Sequence, residues 1–214
     1  MKKVLLVLLV VSFACKNEKK TEVKEEKSEV VNEFALVKEF NNQDIAFWAN
    51  TGTALIETTE MYANKEVYTL SRTSPDESSY LSTNPVAINY ASNYRISVIV
   101  KRGEVGNLLG LRMLGTYPDR VDAVFDLQSG TLKEVKKTRD FEDESAEIED
   151  LGEGWYKCTL TAEVAADFIR ILLGPTTSEK SVLGWEGKTN EMGNVYVIPS
   201  SIVIEEVTQK VISN

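Results

Sequence analysis

The sequence contains no histidine, and that absence excludes a large share of enzyme chemistry. Ser-His-Asp and Cys-His triads, His-ligated zinc, HExxH proteolysis and imidazole acid–base catalysis all require it. Two cysteines, Cys15 and Cys158, are too few for a Cys₄ metal site or a disulfide framework. Basic side chains are also scarce: 24 stand against 33 acidic ones, for a net charge of -9 over 214 residues. That balance excludes a nucleic-acid partner, which needs a basic surface to displace counterions from phosphates. The apolar run Val4–Val11 is much shorter than the roughly 20 residues of a membrane-spanning helix. Carboxylate, lysine or tyrosine chemistry remains, or binding without chemistry.

Lys2 and Lys3 precede that run, and Ser12-Phe13-Ala14-Cys15 follows it. A positive start, a short apolar stretch and a small residue before the cut describe a secretory signal over residues 1–14. Cys15 directly after Ala14 resembles a bacterial lipobox, whose cysteine is lipidated and becomes the mature N-terminus, although Ser12 and Phe13 depart from its usual residues. The competing reading is an ordinary leader that happens to contain a cysteine. Polar residues begin at once after Cys15, which favours lipidation and an anchor that spans nothing. Lys16–Glu29 holds five lysines, five glutamates and one aliphatic residue, Val23, so residues 15–37 read as a lipidated cysteine and charged linker. Such a stretch also resembles the export signals of Bacteroidetes surface lipoproteins. The expected location is therefore the outer membrane or cell surface.

From about Phe40 onward the pattern alternates with period two. Ile96, Val98 and Val100 share one face of Tyr94–Val100, and Leu109, Leu111 and Met113 share one face of the next apolar run. Ala123, Phe125 and Leu127 oppose Asp122, Val124 and Asp126. Trp155–Leu160, Phe168–Leu173 and Val195–Ile204 continue the series, with turn signals between them such as Tyr117-Pro118-Asp119 and Gly152-Glu153-Gly154. Glu163–Asp167 reads as a brief helix or as a turn into a strand. Arg139–Asp150, with seven carboxylates, reads as a solvated loop and edge strand. The expected fold is all-β, an antiparallel β-sandwich or jelly roll over residues 38–210.

Four stretches in order carry a family pattern: YRISVIVK at Tyr94–Lys101, AVFDLQSGTL at Ala123–Leu132, LGEGWYKCTL at Leu151–Leu160, and VYVIPSSIVIE at Val195–Glu205. Together they resemble jelly-roll carbohydrate-binding modules. The resemblance implies a polysaccharide ligand, partner enzymes that degrade glycans, and no organic cofactor. Jelly rolls of this kind often hold a structural calcium ion; no DxDxDG loop occurs here, which leaves scattered carboxylates and carbonyls as its ligands.

Sugar rings stack on aromatic faces while polar groups fix their hydroxyls. Trp185, between Gly184 and Glu186-Gly187, has little local core to join and is the first platform candidate; a tryptophan capping the sandwich edge is the structural alternative. Trp155 and Trp48 read first as packing residues, and Trp155 is also a candidate for carbohydrate binding. Arg112 and Arg170 interrupt apolar strands and would face outward, placed for carboxylate or sulfate on an acidic glycan. The alternative pairs them with a carboxylate such as Asp126 across the sheet. Tyr117 and Tyr90 are rim candidates. Cys158 alternates inward, and without a histidine base it reads as a small buried hydrophobe. The leading expectation is non-catalytic binding of a polysaccharide at the cell surface. The rival is a small jelly-roll lyase or glycoside hydrolase, with Arg112, Arg170, Tyr117 and Lys157 as its parts.

Overall fold

The computed structural model describes residues 28–213. The expected leader and Cys15 lie outside them. In chain order the strands are β1 (Ser28–Glu39), β2 (Ala49–Thr51), β3 (Thr53–Tyr62), β4 (Lys65–Arg72), β5 (Tyr80–Ser82), β6 (Val86–Ala87) and β7 (Ser92–Arg102). They continue with β8 (Leu108–Leu114), β9 (Arg120–Asp126), β10 (Thr131–Thr138), β11 (Glu142–Gly152), β12 (Trp155–Val164), β13 (Phe168–Thr176) and β14 (Asn194–Ser213). The helical content of the described residues is two 3₁₀ turns, Asp44–Phe47 and Val182–Gly184.

Two antiparallel seven-stranded sheets pack as a jelly-roll-type sandwich. The first runs β11-β12-β7-β14-β4-β3, with β1 also pairing β14; the second runs β10-β9-β8-β13-β5-β2, with β6 pairing β13. Alternation explains why these residues chose strands. Tyr94, Ile96, Val98 and Val100 of β7 are buried and meet Leu109, Leu111 and Met113 of β8 and Ala123 and Phe125 of β9 in one core. A strand that buries every second residue in this way is held in register, because a one-residue slip would turn its whole apolar set to water.

One boundary differs from the sequence expectation, and one open reading is decided. Strand β1 begins at Ser28, inside the stretch read as linker, and pairs with β14 along its length. Its apolar residues Val30, Phe34 and Leu36 stay exposed, so pairing with β14, not burial, holds it in a sheet. Glu163–Asp167 is the end of β12 followed by a bend, and Phe168 opens the next strand. The acidic edge behaves as expected: β11 lies at the border of the first sheet, and Phe141 beside it is buried.

The outer face of the second sheet is not solvent. Residues 177–193, between β13 and β14, fold back over it as a strap, and Trp185 lies beneath with 0% of its surface exposed. Its indole sits on two glycines. A Cβ built on Gly110 would stand 2.1 Å from Trp185 Cδ2, and one on Gly174 would stand 3.3 Å from Cζ3. Leu108, Val124, Leu172 and Val182 complete this second apolar layer.

Candidate functional site

With the strap over the second sheet, the outer face of the first sheet is the more open one, closed at its Lys101 end by the buried cluster of Val67, Trp155 and Ile198. Alternation assigns its residues: Asn93, Arg95, Ser97, Ile99 and Lys101 of β7 point away from the core that takes Tyr94, Ile96, Val98 and Val100. Register then carries the face sideways. Thr161 lies opposite Arg95, Thr159 opposite Ser97, Lys157 opposite Ile99 and Trp155 opposite Lys101. On the other flank Val207 lies opposite Asn93, Glu205 opposite Arg95 and Val203 opposite Ser97, and Phe34 of β1 lies opposite Val207. From Asn93 to Lys101 the face runs about 26 Å at about 3.3 Å per residue.

Two hollows lie on this face. One, of about 380 Å³, is lined by Asn32, Asn93, Asp143, Thr161, Val207 and Gln209. The other, of about 230 Å³, is lined by Lys65, Ser97, Ile99, Lys157, Ser201, Val203 and Glu205. Between them Arg95 donates from Nε and Nη2 to Glu205 Oε2 at 2.9 and 2.6 Å. Its guanidinium lies 3.4 Å from the centroid of the Phe34 ring, which is 45% exposed. Lys65 donates to the Ser200 carbonyl at 2.7 Å. Among the described residues Lys157 makes no ion pair or side-chain hydrogen bond. Amides, hydroxyls, ammonium groups, an aliphatic floor and one accessible ring therefore share this face.

The sequence candidates divide. Trp185 is not an exposed platform: it is a buried cap whose Nε1 donates to Asp122 Oδ1 at 2.8 Å. Its flanking glycines suggested presentation to solvent, but the strap buries it against glycines from distant strands. Arg112 is likewise no ligand residue, being 4% exposed. Its Nε donates to Asp122 Oδ1 at 2.6 Å, and Nη1 and Nη2 donate to Glu186 Oε1 and Oε2 at 2.9 and 2.8 Å. Arg120 Nε holds the other oxygen, Asp122 Oδ2, at 2.9 Å. The cross-sheet partner is thus Asp122, and Asp126 instead accepts from Asn107 Nδ2. Burial raises the Asp122 carboxyl pKa, opposed by the two guanidiniums and the indole N–H. For Arg112 burial works against the charge, but Asp122 and Glu186 outweigh it and raise its pKa. Four charged groups, Arg112, Arg120, Asp122 and Glu186, locked this way fasten strap to sheet.

Trp155 faces the open side but is 3% exposed. Tyr62, from the tip of the β3–β4 hairpin, stacks on it at 4.7 Å between centroids and donates its hydroxyl to the Leu151 carbonyl. That tip is a two-residue turn, Ala63-Asn64, with both φ angles positive, the geometry that matches strand twist. Trp155 is therefore a hairpin clasp rather than a sugar platform. Arg170 is half-buried and Tyr117 is 75% exposed, so both remain accessible. Trp48 is a core residue, edge-on to Phe40 at 5.6 Å. Arg95, Phe34, Ser97 and Lys65 were not singled out from the sequence. The outward half of the β7 alternation pointed to Arg95 and Ser97; Phe34 sat in the stretch read as linker.

Cys158 is fully buried in the core, and burial pushes its thiol pKa well up. In a Cys15→Ser protein, thiol reagents are expected to modify Cys158 only at the rate of global opening. Rapid stoichiometric modification of the native protein would contradict that packing. Among the described residues no three metal-ligating side chains gather to hold a metal ion.

No family model matches the chain, and no curated protein matches it. Among solved structures it is similar to the CBM22-1 and GH10 modules of a Clostridium thermocellum endo-1,4-beta-D-xylanase complexed with xylohexaose, at 12% identity and a TM-score of 0.39. The match covers 82% of this chain and 28% of that one. At that TM-score the assignment of the fold rests on the two sheets themselves.

Proposed function

We propose that the protein holds an extended polysaccharide against the outer face of its first sheet, displayed at the bacterial surface by a lipid on Cys15, without cleaving it. The observation that carries this reading is the pair of hollows on this face, where hydrogen-bonding groups alternate with apolar surface. A glycan offers that same alternation: hydroxyls at its edges and CH patches on its ring faces. Thr161, Asn32, Asn93 and Gln209 supply the polar partners, while Phe34, Ile99 and Val203 supply the apolar ones. Lys157 adds an ammonium with no partner among the described residues, suited to a carboxylate or sulfate on the chain.

Holding rather than cleaving is favoured by the state of the charged groups. A glycosidase needs two free carboxyl groups about 5–9.5 Å apart across a cleft. Glu205, in the lining of the second hollow, is occupied by Arg95. In this reading any chemistry on the glycan belongs to partner enzymes.

Calorimetric titration against a panel of neutral and uronate-containing polysaccharides tests the proposal. Phe34→Ala is expected to weaken binding about ten-fold or more, since stacking on an aromatic ring contributes about 1–3 kcal/mol by analogy with nucleobases. Thermal stability should change little, because the ring is half in water. Lys157→Ala should weaken binding only to acidic polymers, and more strongly at low salt. Silence across the panel, or unchanged affinity in both variants, removes the reading. Release of reducing ends or of unsaturated uronate would replace it with the enzymatic one.

A further inference from the structure

A second group of cationic and aromatic side chains lies at one end of the strapped sheet. Register places Arg120 of β9 and Arg170 of β13 on either side of Leu114 of β8, in one row of the outer face. Two strand spacings separate them, about 10 Å between backbones, which long guanidinium side chains can close. Arg120 uses Nε on Asp122 and Nη2 on the Leu183 carbonyl at 2.9 Å, leaving Nη1 unused. Its guanidinium carbon lies 5.6 Å from the centroid of Tyr117, the exposed ring of the β8–β9 loop.

Arg170 differs from the other buried and half-buried strand arginines, Arg72, Arg95, Arg112 and Arg120, all of which have side-chain partners. Among the described residues it makes no ion pair and no side-chain hydrogen bond, and its Nε is buried without an acceptor. Buried donors in folded proteins almost always find a partner, so an orphaned one marks a place where water or a ligand belongs. The carboxylates at this end do not fill the role. Asp122 already accepts from Arg112, Arg120 and Trp185, and Asp119, one residue before β9, leaves its own Oδ1 buried and unpartnered.

We propose that Arg170, the free edge of Arg120 and the Tyr117 ring form an oxyanion site for a carboxylate or sulfate carried on a sugar ring. The planar fork of a guanidinium matches such an oxyanion with two parallel donors, and the tyrosine face suits the attached ring. This site shares no residue with the outer face of the first sheet and stands independently of polysaccharide binding there.

Heteronuclear spectra of the arginine Nε–H groups of the full chain test it, with the Arg170 resonance identified by its loss in Arg170→Lys. Free glucuronate, inorganic sulfate and glucose serve as probes. A saturable shift with glucuronate alone assigns the site to carboxylates, one with sulfate alone to sulfate esters, and one with both to oxyanions generally. No shift with either, or an equal shift with glucose, overturns the proposal. Arg170→Gln should lower the affinity for the responding anion about ten-fold or more at unchanged melting temperature, as expected for loss of a charge-assisted pair; unaltered affinity overturns it. In Phe34→Ala the Arg170 response should persist whether or not polysaccharide still binds, which separates failure here from failure on the first sheet.

Discussion

Asp122→Ala is expected to destabilise the protein by about 3–5 kcal/mol, because removing one member of a buried charged network strands the others. Arg112, 4% exposed, would lose its Nε partner, Arg120 its Oδ2 partner and Trp185 the acceptor of its indole N–H. For a domain of this size that loss lowers the melting temperature by about 6–20 °C. The effect should be local before it is global: amides of residues 182–187 should lose hydrogen-exchange protection first, since the strap hangs on this carboxylate and on Glu186. Asp122→Asn retains an acceptor for Arg112 and Trp185 but turns an amide donor toward Arg120, so a smaller loss is expected. A paired replacement, Asp122→Leu with Arg112→Met, should recover only part of the loss, since it removes one buried ion pair but leaves Arg120, Glu186 and the Trp185 indole without the partners those residues gave them. A cost for Asp122→Ala within about 0.5 kcal/mol, the size of an ordinary surface change, would show that the network does not hold the strap.

The same network shows what the sequence could and could not reveal. Alternation in β7, β8, β9 and β12 was legible because each strand buries one face against the common core. Cys158 and Leu160 inward, with Trp155 and Lys157 outward, came directly from that period. What lies over the other face was not legible, because it depends on a strap contributed from residues 177–193, far along the chain from β8 and β9. A lone arginine among apolar strand residues looks the same whether it meets water or a buried carboxylate. For Arg112 the buried carboxylate was real; for Arg170 no partner exists among the described residues. Strand β1 was missed for a different reason. Val30, Val31, Phe34, Leu36 and Val37 are exposed on both faces, so neither a period nor a buried side distinguishes them, and the lysine and glutamate run before them dominates the composition. Phe34, on the candidate binding face, was lost with it.

Trp185→Ala carries the other large effect, expected at about 3–5 kcal/mol for truncating a fully buried tryptophan. The indole fills the space between strap and sheet that two glycines leave open, so its loss creates a cavity bounded by Gly110, Gly174 and Asp122. Affinity for polysaccharide on the first sheet should stay unchanged, as none of its lining residues touches the strap. That combination, a markedly lower melting temperature with binding intact, is the opposite of what a solvent-exposed platform would give. The close approach supplies an independent check. Gly110→Ala alone should also be costly, because a methyl 2.1 Å from Trp185 Cδ2 forces the ring out of its seat. Combined with Trp185→Ala the same methyl enters an empty space, so the second substitution should add little or even recover part of the loss. The double-mutant cycle should therefore show strong non-additivity, within the range of about 0.5–3 kcal/mol seen for residues in contact. Simple addition of the two losses would mean that Trp185 and Gly110 do not meet, and that the strap does not lie on the second sheet.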